Sequence, residues 1–370
     1  MREIRIKLLL VTSILIASGI VMIYSSSAIY ALDKFGDAAF FLKRHLVFIL
    51  AGLVFFFGAL AVDLKFLKRH AGTILYICIF LLVIVLIPKI GTSAGGARRW
   101  MRIGFFGFQP SEAAKLAIIV FTASYLSGRS AAERRDITAF IRPSVLTALC
   151  IALILMQPDL GSSVLILAVV FAIFFVAGMG MRYILAGFLS TLPFIAALIF
   201  FSAYRLNRIT AFINPWKDPR GTGFQMVQSF LALGRGGLFG VGLGQSKQKL
   251  FYLPASHTDF IFSIIGEELG LIGAGAVVVL FIFFIRYAAK IVLTCPDNFK
   301  RLMGFGLVTM IALEAIVNIA VTTGSMPTKG LPLPFISYGG SNLVLNMAAV
   351  AFILNISKNP GTTSDTMVLR

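Results

Sequence analysis

The sequence predicts an all-α integral membrane protein with about ten transmembrane helices, and three observations carry this prediction. First, 58% of the 370 residues are hydrophobic and only 13% are charged, whereas a soluble chain is about 25% charged. Second, the mean hydropathy is +0.93, which leaves more apolar surface than a water-soluble fold could bury. Third, the apolar residues form long runs, and a helix needs about 20 mostly apolar residues to cross a bilayer.

The apolar runs between charged segments define the predicted helices in order. They cover residues 8–30, 46–62, 72–88, 112–127, 141–157, 160–177, 183–202, 260–285, 303–323 and 335–356. The tight turn Gln157-Pro158-Asp159 separates the fifth helix from the sixth. Residues 203–259 form one large extracytoplasmic loop between the seventh and eighth helices. We therefore expect a single polytopic membrane domain over 1–370, with a cytoplasmic tail at 359–370.

The net charge of +18 and the three cysteines exclude further classes of protein. Three cysteines in a chain of this length do not make a disulfide scaffold, so we expect free thiols. On a membrane protein, excess positive charge indicates the positive-inside rule and contact with anionic lipid. No basic-aromatic RNA motif is present, so no nucleic-acid partner is expected. Basic residues predominate in the short loops on the N-terminal side, which predicts that both termini are cytoplasmic.

Two predicted outer segments are rich in basic residues, which the positive-inside rule does not explain. The first is 89–111, with Lys89, Arg98, Arg99 and Arg102. The second is 203–259, whose basic residues are Arg205, Arg208, Lys217, Arg220, Arg235, Lys247 and Lys249. These cations favour a binding surface for a phosphate or pyrophosphate at headgroup depth. The alternative is an ordinary solvated loop that touches anionic lipid.

Five ionisable residues lie inside the predicted membrane helices, where the free-energy cost of burying a charge must be offset. Each costs about 2.5–3.5 kcal/mol near the bilayer centre, so they should face a cavity or each other. These residues are Glu112, Lys115, Glu267, Glu268 and Glu314. Glu112 and Lys115 are three apart and can pair on one helix face. The alternative for Glu112 is a capping role at a helix that Ser111 starts.

The remaining polar residues in the C-terminal half form helix-spaced sets. Glu267 and Glu268 are adjacent and point about 100° apart, so one of them can line a polar cavity. Two further pairs are spaced four apart on predicted helices: Glu314 with Asn318, and Asn342 with Asn346. These stripes indicate a water-lined interior, and hydrogen bonding between helices is the alternative.

Asp259 is the strongest candidate for chemistry. It stands where the polar loop becomes the apolar eighth helix, and partial desolvation there raises the pKa of a carboxylate and makes it a better base. The alternative is that Asp259 caps the eighth helix, with Thr258 assisting. Asp159 is a similar border carboxylate for which a turn and capping role is favoured. His257 is either a second base or a hydrogen-bond partner.

Five segments together resemble one known family. The sequence is similar, over about residues 10–358, to the SEDS family (shape, elongation, division and sporulation). Residues 22–27 and 326–330 are more similar to its division and sporulation branch than to its elongation branch. The segments that carry the resemblance are Gly96-Ala97-Arg98-Arg99-Trp100, Phe108-Gln109-Pro110-Ser111-Glu112, Gln157-Pro158-Asp159-Leu160-Gly161, His257-Thr258-Asp259-Phe260-Ile261-Phe262 and Pro332-Leu333-Pro334-Phe335-Ile336-Ser337-Tyr338-Gly339-Gly340-Ser341.

The resemblance implies a peptidoglycan glycosyltransferase in the bacterial cytoplasmic membrane. Such an enzyme polymerises lipid II into glycan strands and releases undecaprenyl pyrophosphate, with a class B penicillin-binding protein as the cross-linking partner. The resemblance assigns the essential acid to Asp259, the helix pair to Glu112 and Lys115, and the basic loop to Arg98, Arg99 and, beside them, Arg102.

The remaining candidates follow from position. We predict substrate contacts from Lys249, His257, Thr258 and Ser337, and we retain Asp159, Glu267, Glu268 and Asn318 as further site candidates. No protein metal site is predicted, and the only cofactor considered is a divalent cation, Mg²⁺ or Mn²⁺. The rival functions are a lipid II flippase and a scaffold for division proteins, although a scaffold leaves the costly membrane carboxylates unexplained.

Overall fold

The computed structural model describes most of the chain. The described residues are 1–94, 97–103, 106–130, 132–250, 253–254 and 256–358. The predicted cytoplasmic tail at 359–370 lies outside the described residues.

The described residues form thirteen α-helices and one small sheet. The helices that precede the large loop are α1 (Arg2–Phe35), α2 (Phe40–Ala61), α3 (Leu64–Arg69), α4 (Ala71–Ile84), α5 (Pro110–Ser127), α6 (Thr138–Met156), α7 (Leu160–Ala177) and α8 (Met181–Phe200). The others are α9 (Ala203–Ile213), α10 (Phe224–Gly236), α11 (Ile261–Leu293), α12 (Asn298–Thr322) and α13 (Gly340–Ile356).

Seven of the helices in the described part are long and apolar enough to cross a membrane, namely α1, α2, α6, α7, α8, α11 and α12. The other three predicted spans correspond to α4, α5 and α13. At 14 residues, α4 is about 21 Å long, which is shorter than the roughly 30 Å hydrocarbon core. The chain is therefore a mostly helical membrane protein, and the count of ten spans stays a prediction.

The segment between α8 and α11 has more structure than the predicted loop. It contains α9 and α10, and α10 packs against α11. The apolar residues of α9 and α10 recur with helical spacing, and α10 buries Met226, Val227 and Ala232. The sequence-based prediction merged them into a loop because their apolar stripes are too narrow for a span.

A three-stranded antiparallel sheet lies in the other outer segment, and the sequence analysis did not predict it. Its strands are β1 (Gly91–Ala94), β2 (Ala97–Ile103) and β3 (Phe106–Phe108), in the order β1-β2-β3. Strands of three to seven residues carry little periodic signal. The sheet matters for the site, because alternate residues of β2 face opposite sides.

Helix α5 forms the centre of the bundle. Most of its residues are buried, and it packs against α4, α7, α12 and α13. Helix α8 lies at the edge and has no fully buried residue. The start of α13 is tied to the sheet, since Ser341 Oγ donates to the Gly107 carbonyl at 3.1 Å and accepts from the Gln109 amide at 3.0 Å.

Helix α11 is broken at Gly270, whose φ of 69° and ψ of −168° are not helical. The chain after α10 supplies the backbone hydrogen bonds that the break removes. The amides of Val241 and Gly242 donate to the carbonyls of Glu267 and Glu268 at 2.9 and 3.0 Å. Backbone that is irregular at membrane depth is stable only when protein groups satisfy it, so this pairing allows the break.

Candidate active site

Asp259 does not cap the helix that follows it. Helix α11 begins at Ile261, its N-cap position is Phe260, and no side chain makes a cap hydrogen bond there. The capping alternative for Asp259 is therefore wrong. The Asp259 side chain is partly exposed, and among the described residues no donor forms a hydrogen bond with its carboxylate.

The backbone at Asp259 is held firmly although its carboxylate is free. The Asn318 Nδ2 donates to the Asp259 carbonyl at 2.9 Å and to the Leu331 carbonyl at 2.7 Å. One residue earlier, the Thr258 carbonyl accepts from Ser337 Oγ at 2.6 Å. Asn318, Thr258 and Ser337 thus position the carboxylate through the main chain. Their predicted contacts with substrate stay predictions.

Asp159 has the structural role that the sequence favours for it. Its carboxylate caps α7 by accepting from the Ser162 amide at 3.0 Å and the Ser162 hydroxyl at 2.9 Å. The same side chain lies 3.6 Å from Arg99 Nη1 and 3.5 Å from Gln109 Nε2. The cap therefore also places a cation of β2 at the mouth of the bundle.

Two arginines act on Asp259 from opposite outer segments. Burial raises the pKa of the Asp259 carboxyl to about 6, although the charges of Arg208 and Arg99 lower it and that of Asp159 raises it. Arg208 comes from α9, and its Nη1 donates to the Thr328 carbonyl at 3.0 Å. The structure thus brings Asp259, Asp159, Arg99 and Arg208 together into a group that we call the outer site.

Sequence reasoning did not single out two basic residues near Asp259. Arg208 was one of seven loop cations, and nothing in its spacing marked it. Lys329 precedes Gly330, where an added Cβ would lie 3.3 Å from Asp259 Oδ2. Burial lowers the pKa of the Lys329 ammonium. A lysine between Pro and Gly in an outer loop, against the positive-inside rule, is the signal that could have found it.

Arg98 and Arg102 lie apart from the outer site. Arg98 is exposed, and its Nη1 donates to the Leu86 carbonyl at 3.4 Å. The register between β1 and β2 shifts beside it, since Thr92 pairs with Trp100 and Ser93 with Arg98, which leaves Arg99 without a partner on β1. Arg102 is exposed on the same strand. Their predicted binding of substrate stays a prediction.

His257 packs in an aromatic cluster. Its ring centroid lies 4.5 Å from that of Phe41, 5.8 Å from that of Tyr338 and 6.1 Å from that of Tyr30. Burial lowers the pKa of the His257 imidazole to about 4, so the ring is neutral at pH 7. The described contacts of the ring are aromatic, and both the role of a second base and that of a hydrogen-bond partner stay predictions.

Lys249 forms a buried ion pair instead of an open cationic surface. Its Nζ lies 2.9 Å from Glu268 Oε1, and the Glu268 carboxylate also accepts from Ser25 Oγ at 2.6 and 2.8 Å. A phosphate would have to displace Glu268 to reach this ammonium. Its role in substrate binding stays a prediction.

The Glu267 carboxylate also has hydrogen-bond donors from the protein. Its carboxylate accepts from the Ser246 hydroxyl and from the Lys247 and Gln248 amides at 3.0 and 3.4 Å. Both adjacent acids of α11 are almost fully buried and fasten the chain after α10. The structure therefore favours anchoring for both over the lining of a polar cavity.

Glu112 and Lys115 of α5 belong to a larger group of interacting polar side chains. Lys115 Nζ lies 2.8 Å from Glu112 Oε2 and forms a second ion pair with Glu314 of α12. Asn342 and Asn346 of α13 donate to these carboxylates. We call these five residues the core cluster. Its contacts run between helices, as the hydrogen-bonding alternative predicts. Ser111 is not the N-cap, since α5 already begins at Pro110.

Metal ligands are sparse. The described part of the chain contains no group of three or more His, Cys, Asp or Glu side chains that could hold a metal ion. The three cysteines are free and buried.

Comparison with known proteins assigns the family. Residues 5–361 match the sequence profile of the FtsW, RodA and SpoVE family, which is described as cell cycle protein. The chain belongs to this family. As a family member with several apolar helices, it is a multi-pass protein of the bacterial cytoplasmic membrane.

Relatives in the family carry both division and sporulation names. The chain is 44% identical over 349 residues to the probable peptidoglycan glycosyltransferase FtsW of Geobacter sp. strain M18, covering 94% of this chain and 95% of the relative. It is 42% identical over 356 residues to the stage V sporulation protein E of Bacillus subtilis, covering 95% and 96%. These relatives agree with the branch that the sequence predicted.

Solved structures of the family have the same fold. A chain of a peptidoglycan synthase complex described as coordinating polymerization and crosslinking matches with a TM-score of 0.80 and 30% identity, covering 95% of this chain and 97% of that chain. The rod shape determining protein RodA of Thermus thermophilus matches with a TM-score of 0.70 and 28% identity, covering 95% of each.

Proposed function

We propose that this chain is a peptidoglycan glycosyltransferase that polymerises lipid II, with Asp259 as its general base. The relatives named as peptidoglycan glycosyltransferases support the class of enzyme. One observation supports the role of Asp259: it is a carboxylate just before a membrane helix that caps nothing, and the charges of Arg99 and Arg208 act on it. The other acids at membrane depth in the described chain are bound by several donors each.

The proposed step is a substitution at the anomeric carbon of the donor sugar. The Asp259 carboxylate takes the proton from a hydroxyl of the acceptor sugar, and that oxygen bonds to the anomeric carbon. The bond from this carbon to the pyrophosphate oxygen breaks, and the pyrophosphate leaves with the electron pair on its lipid carrier. The cleaved sugar–pyrophosphate bond supplies the driving force, so no nucleotide is needed.

Asp259 suits this role electrostatically. With a pKa of about 6, it is mostly ionised at neutral pH yet more basic than an ordinary aspartate. Arg99 and Arg208 would stabilise the negative charge that develops on the departing pyrophosphate, because guanidinium groups bind phosphate oxygens in a forked geometry. Donors that are already in place when charge develops give large rate effects.

A divalent cation would bind through the Asp259 carboxylate, because Ser162 already occupies both oxygens of Asp159. Mg²⁺ commonly binds through one or two carboxylates together with substrate phosphates, so the pyrophosphate of the substrate would supply the remaining ligands. The ion would neutralise pyrophosphate charge there.

We place the outer site on the extracytoplasmic face, with both termini in the cytoplasm. This orientation rests on the positive-inside rule. We also infer that a class B penicillin-binding protein is the partner, which the likeness to a chain of a peptidoglycan synthase complex supports. The rival, a lipid II flippase, would need a polar path through the whole bilayer, whereas the free carboxylate lies at one face.

The test compares substitutions of Asp259 in the full chain, inserted in membranes with its partner and supplied with lipid II. We expect Asp259→Asn to lose about 10²–10⁴-fold of the polymerisation rate, the range for loss of a general base. Asp259→Glu should retain part of it. Glycan length is read on a gel, and membrane level and partner binding are measured in parallel.

Asp33→Asn is the matched control, because Asp33 is an exposed acid on α1. Polymerisation by Asp259→Asn at the wild-type rate would remove Asp259 from the chemistry. Movement of labelled lipid II across vesicles without polymer would favour the flippase instead.

A further inference from the structure

The core cluster holds two carboxylates and one ammonium. Lys115 pairs with both Glu112 and Glu314, and their side chains are at most 6% exposed. Among the residues that the structure describes, no second cation lies within ion-pair distance of either acid. With all three groups ionised, the cluster would carry one uncompensated negative charge inside the bilayer.

The described elements around the cluster bring no further charged side chain to it. Helix α13 contributes only the amides Asn342 and Asn346, and α7 presents Leu165, Ile166 and Val169 to the space beside Lys115. The Asn342 Nδ2 lies 3.0 Å from Glu112 Oε2 and 3.3 Å from Glu314 Oε2. The two acids are therefore close neighbours that share Lys115 and Asn342 as donors, which makes double ionisation costly.

The side-chain oxygen of Asn346 has no partner among the described residues. The Asn346 Nδ2 donates to Glu314 Oε2 and to Asn342 Oδ1, both at 3.0 Å. These two bonds fix which end of the amide is nitrogen. The Asn346 Oδ1 is then buried without a hydrogen bond from any described residue. A buried acceptor left unpaired is unfavourable, so this oxygen points to a small positively charged or donating group that belongs beside it.

The two acids are not equivalent. Both oxygens of Glu314 accept, Oε1 from Lys115 and Oε2 from the two asparagines. Glu112 uses only Oε2, for Lys115 and Asn342, and no described donor reaches its Oε1. Glu112 therefore has a free position for a cation, whereas Glu314 is fully occupied by the protein.

We propose that the core cluster is a binding site for one monovalent cation, a proton or a sodium ion, with Glu112 as the acceptor. The bound cation neutralises the cluster and joins α5, α12 and α13. Glu314 lies one helical turn from Asn318, which holds the Asp259 backbone. Binding of the cation to the core cluster would therefore stabilise the helix packing next to the outer site.

The test measures thermal unfolding of the purified full-length chain in nanodiscs of phosphatidylethanolamine and phosphatidylglycerol. The buffers cover mildly acidic to mildly alkaline pH, in sodium chloride or in choline chloride of equal ionic strength. A proton bound to a group whose pKa is raised by folding stabilises the protein at low pH and is lost as pH rises. For a proton we therefore expect the wild-type folding equilibrium constant to fall by up to about tenfold per pH unit between the pKa of the glutamate in the unfolded chain and its pKa in the folded state, and to level off above the latter.

For sodium we expect the wild-type melting temperature to rise with sodium chloride but not with choline chloride, since a ligand that binds only the folded state stabilises it. In either case Glu112→Gln, which removes the charge and keeps the shape, should abolish the response. Glu133→Gln, at an exposed pair with Arg129, should keep it. The infrared carboxylic-acid band distinguishes a bound proton from a bound sodium ion, because only a protonated Glu112 has this band. Glu112→Gln should remove the band.

Two results would overturn the proposal. One is a wild type that responds to neither pH nor sodium and has no carboxylic-acid band. The other is a response that persists unchanged in Glu112→Gln. Neither result bears on the role of Asp259, since none of these measurements uses lipid II.

Discussion

Asp159 and Asp259 occupy equivalent places in the sequence and play different parts in the structure. Each stands at the start of an apolar helix, α7 or α11. Asp159 accepts two hydrogen bonds from Ser162 and lies beside Arg99, whereas the Asp259 carboxylate has no hydrogen-bond donor among the described residues. A carboxylate whose acceptor capacity is already used stabilises the fold, and one held by its backbone alone is available for chemistry.

The same contrast separates Asp259 from the acids at membrane depth. Glu267 and Glu268 bind the chain after α10, and Glu314 is occupied by Lys115 and two asparagines. Each of them would leave donors unpaired if it were removed. Within the part of the chain that the structure describes, the outer site alone combines a carboxylate without a hydrogen-bond donor and cations from two separate segments.

The largest effect predicted from this comparison concerns Arg99, whose charge acts on both Asp159 and Asp259. Arg99→Gln should lower the polymerisation rate about 10²-fold, the lower end of the range for loss of one preorganised donor, because Arg208 remains. The rate with lipid II and the melting temperature are measured together, and the melting temperature should change little since Arg99 is partly exposed.

Arg98→Gln is the paired control for this prediction. Its side chain donates to the Leu86 carbonyl, so its removal should cost much less than that of Arg99. Equal losses at the two neighbouring arginines would mean that the basic strand acts only through its total charge, and the outer site as defined would be wrong.

A smaller effect concerns stability. Asp159→Ala should lower the free energy of unfolding by about 0.5–2 kcal/mol, the usual cost of losing an N-cap. Asp259→Ala should leave it unchanged or raise it, because a desolvated carboxylate without a donor contributes no favourable contact. Melting temperatures of both variants in one detergent give the comparison, and the reverse order would show that Asp259 is the structural acid.

Much of this arrangement could be predicted from the sequence because membrane helices and their borders are local features. The apolar runs located the helices, spacing paired Glu112 with Lys115, and a border position marked Asp259. The cap at Asp159 followed from the turn that precedes α7. In each case the residues that decide the outcome lie within a few positions of one another.

The rest depends on contacts between distant parts of the chain. Glu314 meets Lys115 across 199 residues, and no local pattern indicates that partner. Arg208 was indistinguishable from the other cations of its segment until α9 formed beside Asp259. The break at Gly270 depends on backbone from the chain after α10, and the alternative that Asp259 caps α11 was physically reasonable until the helix start was known.

The dependence of polymerisation on pH tests the central claim most directly. A base whose pKa is raised to about 6 works only when it is deprotonated, so the wild-type rate at low lipid II concentration should rise with pH through about 6 and then level off. The Asp159→Asn variant should keep this rise at a lower rate. A rate that stays flat across this range, or that rises in the same way in Asp259→Asn, would contradict proton abstraction by Asp259.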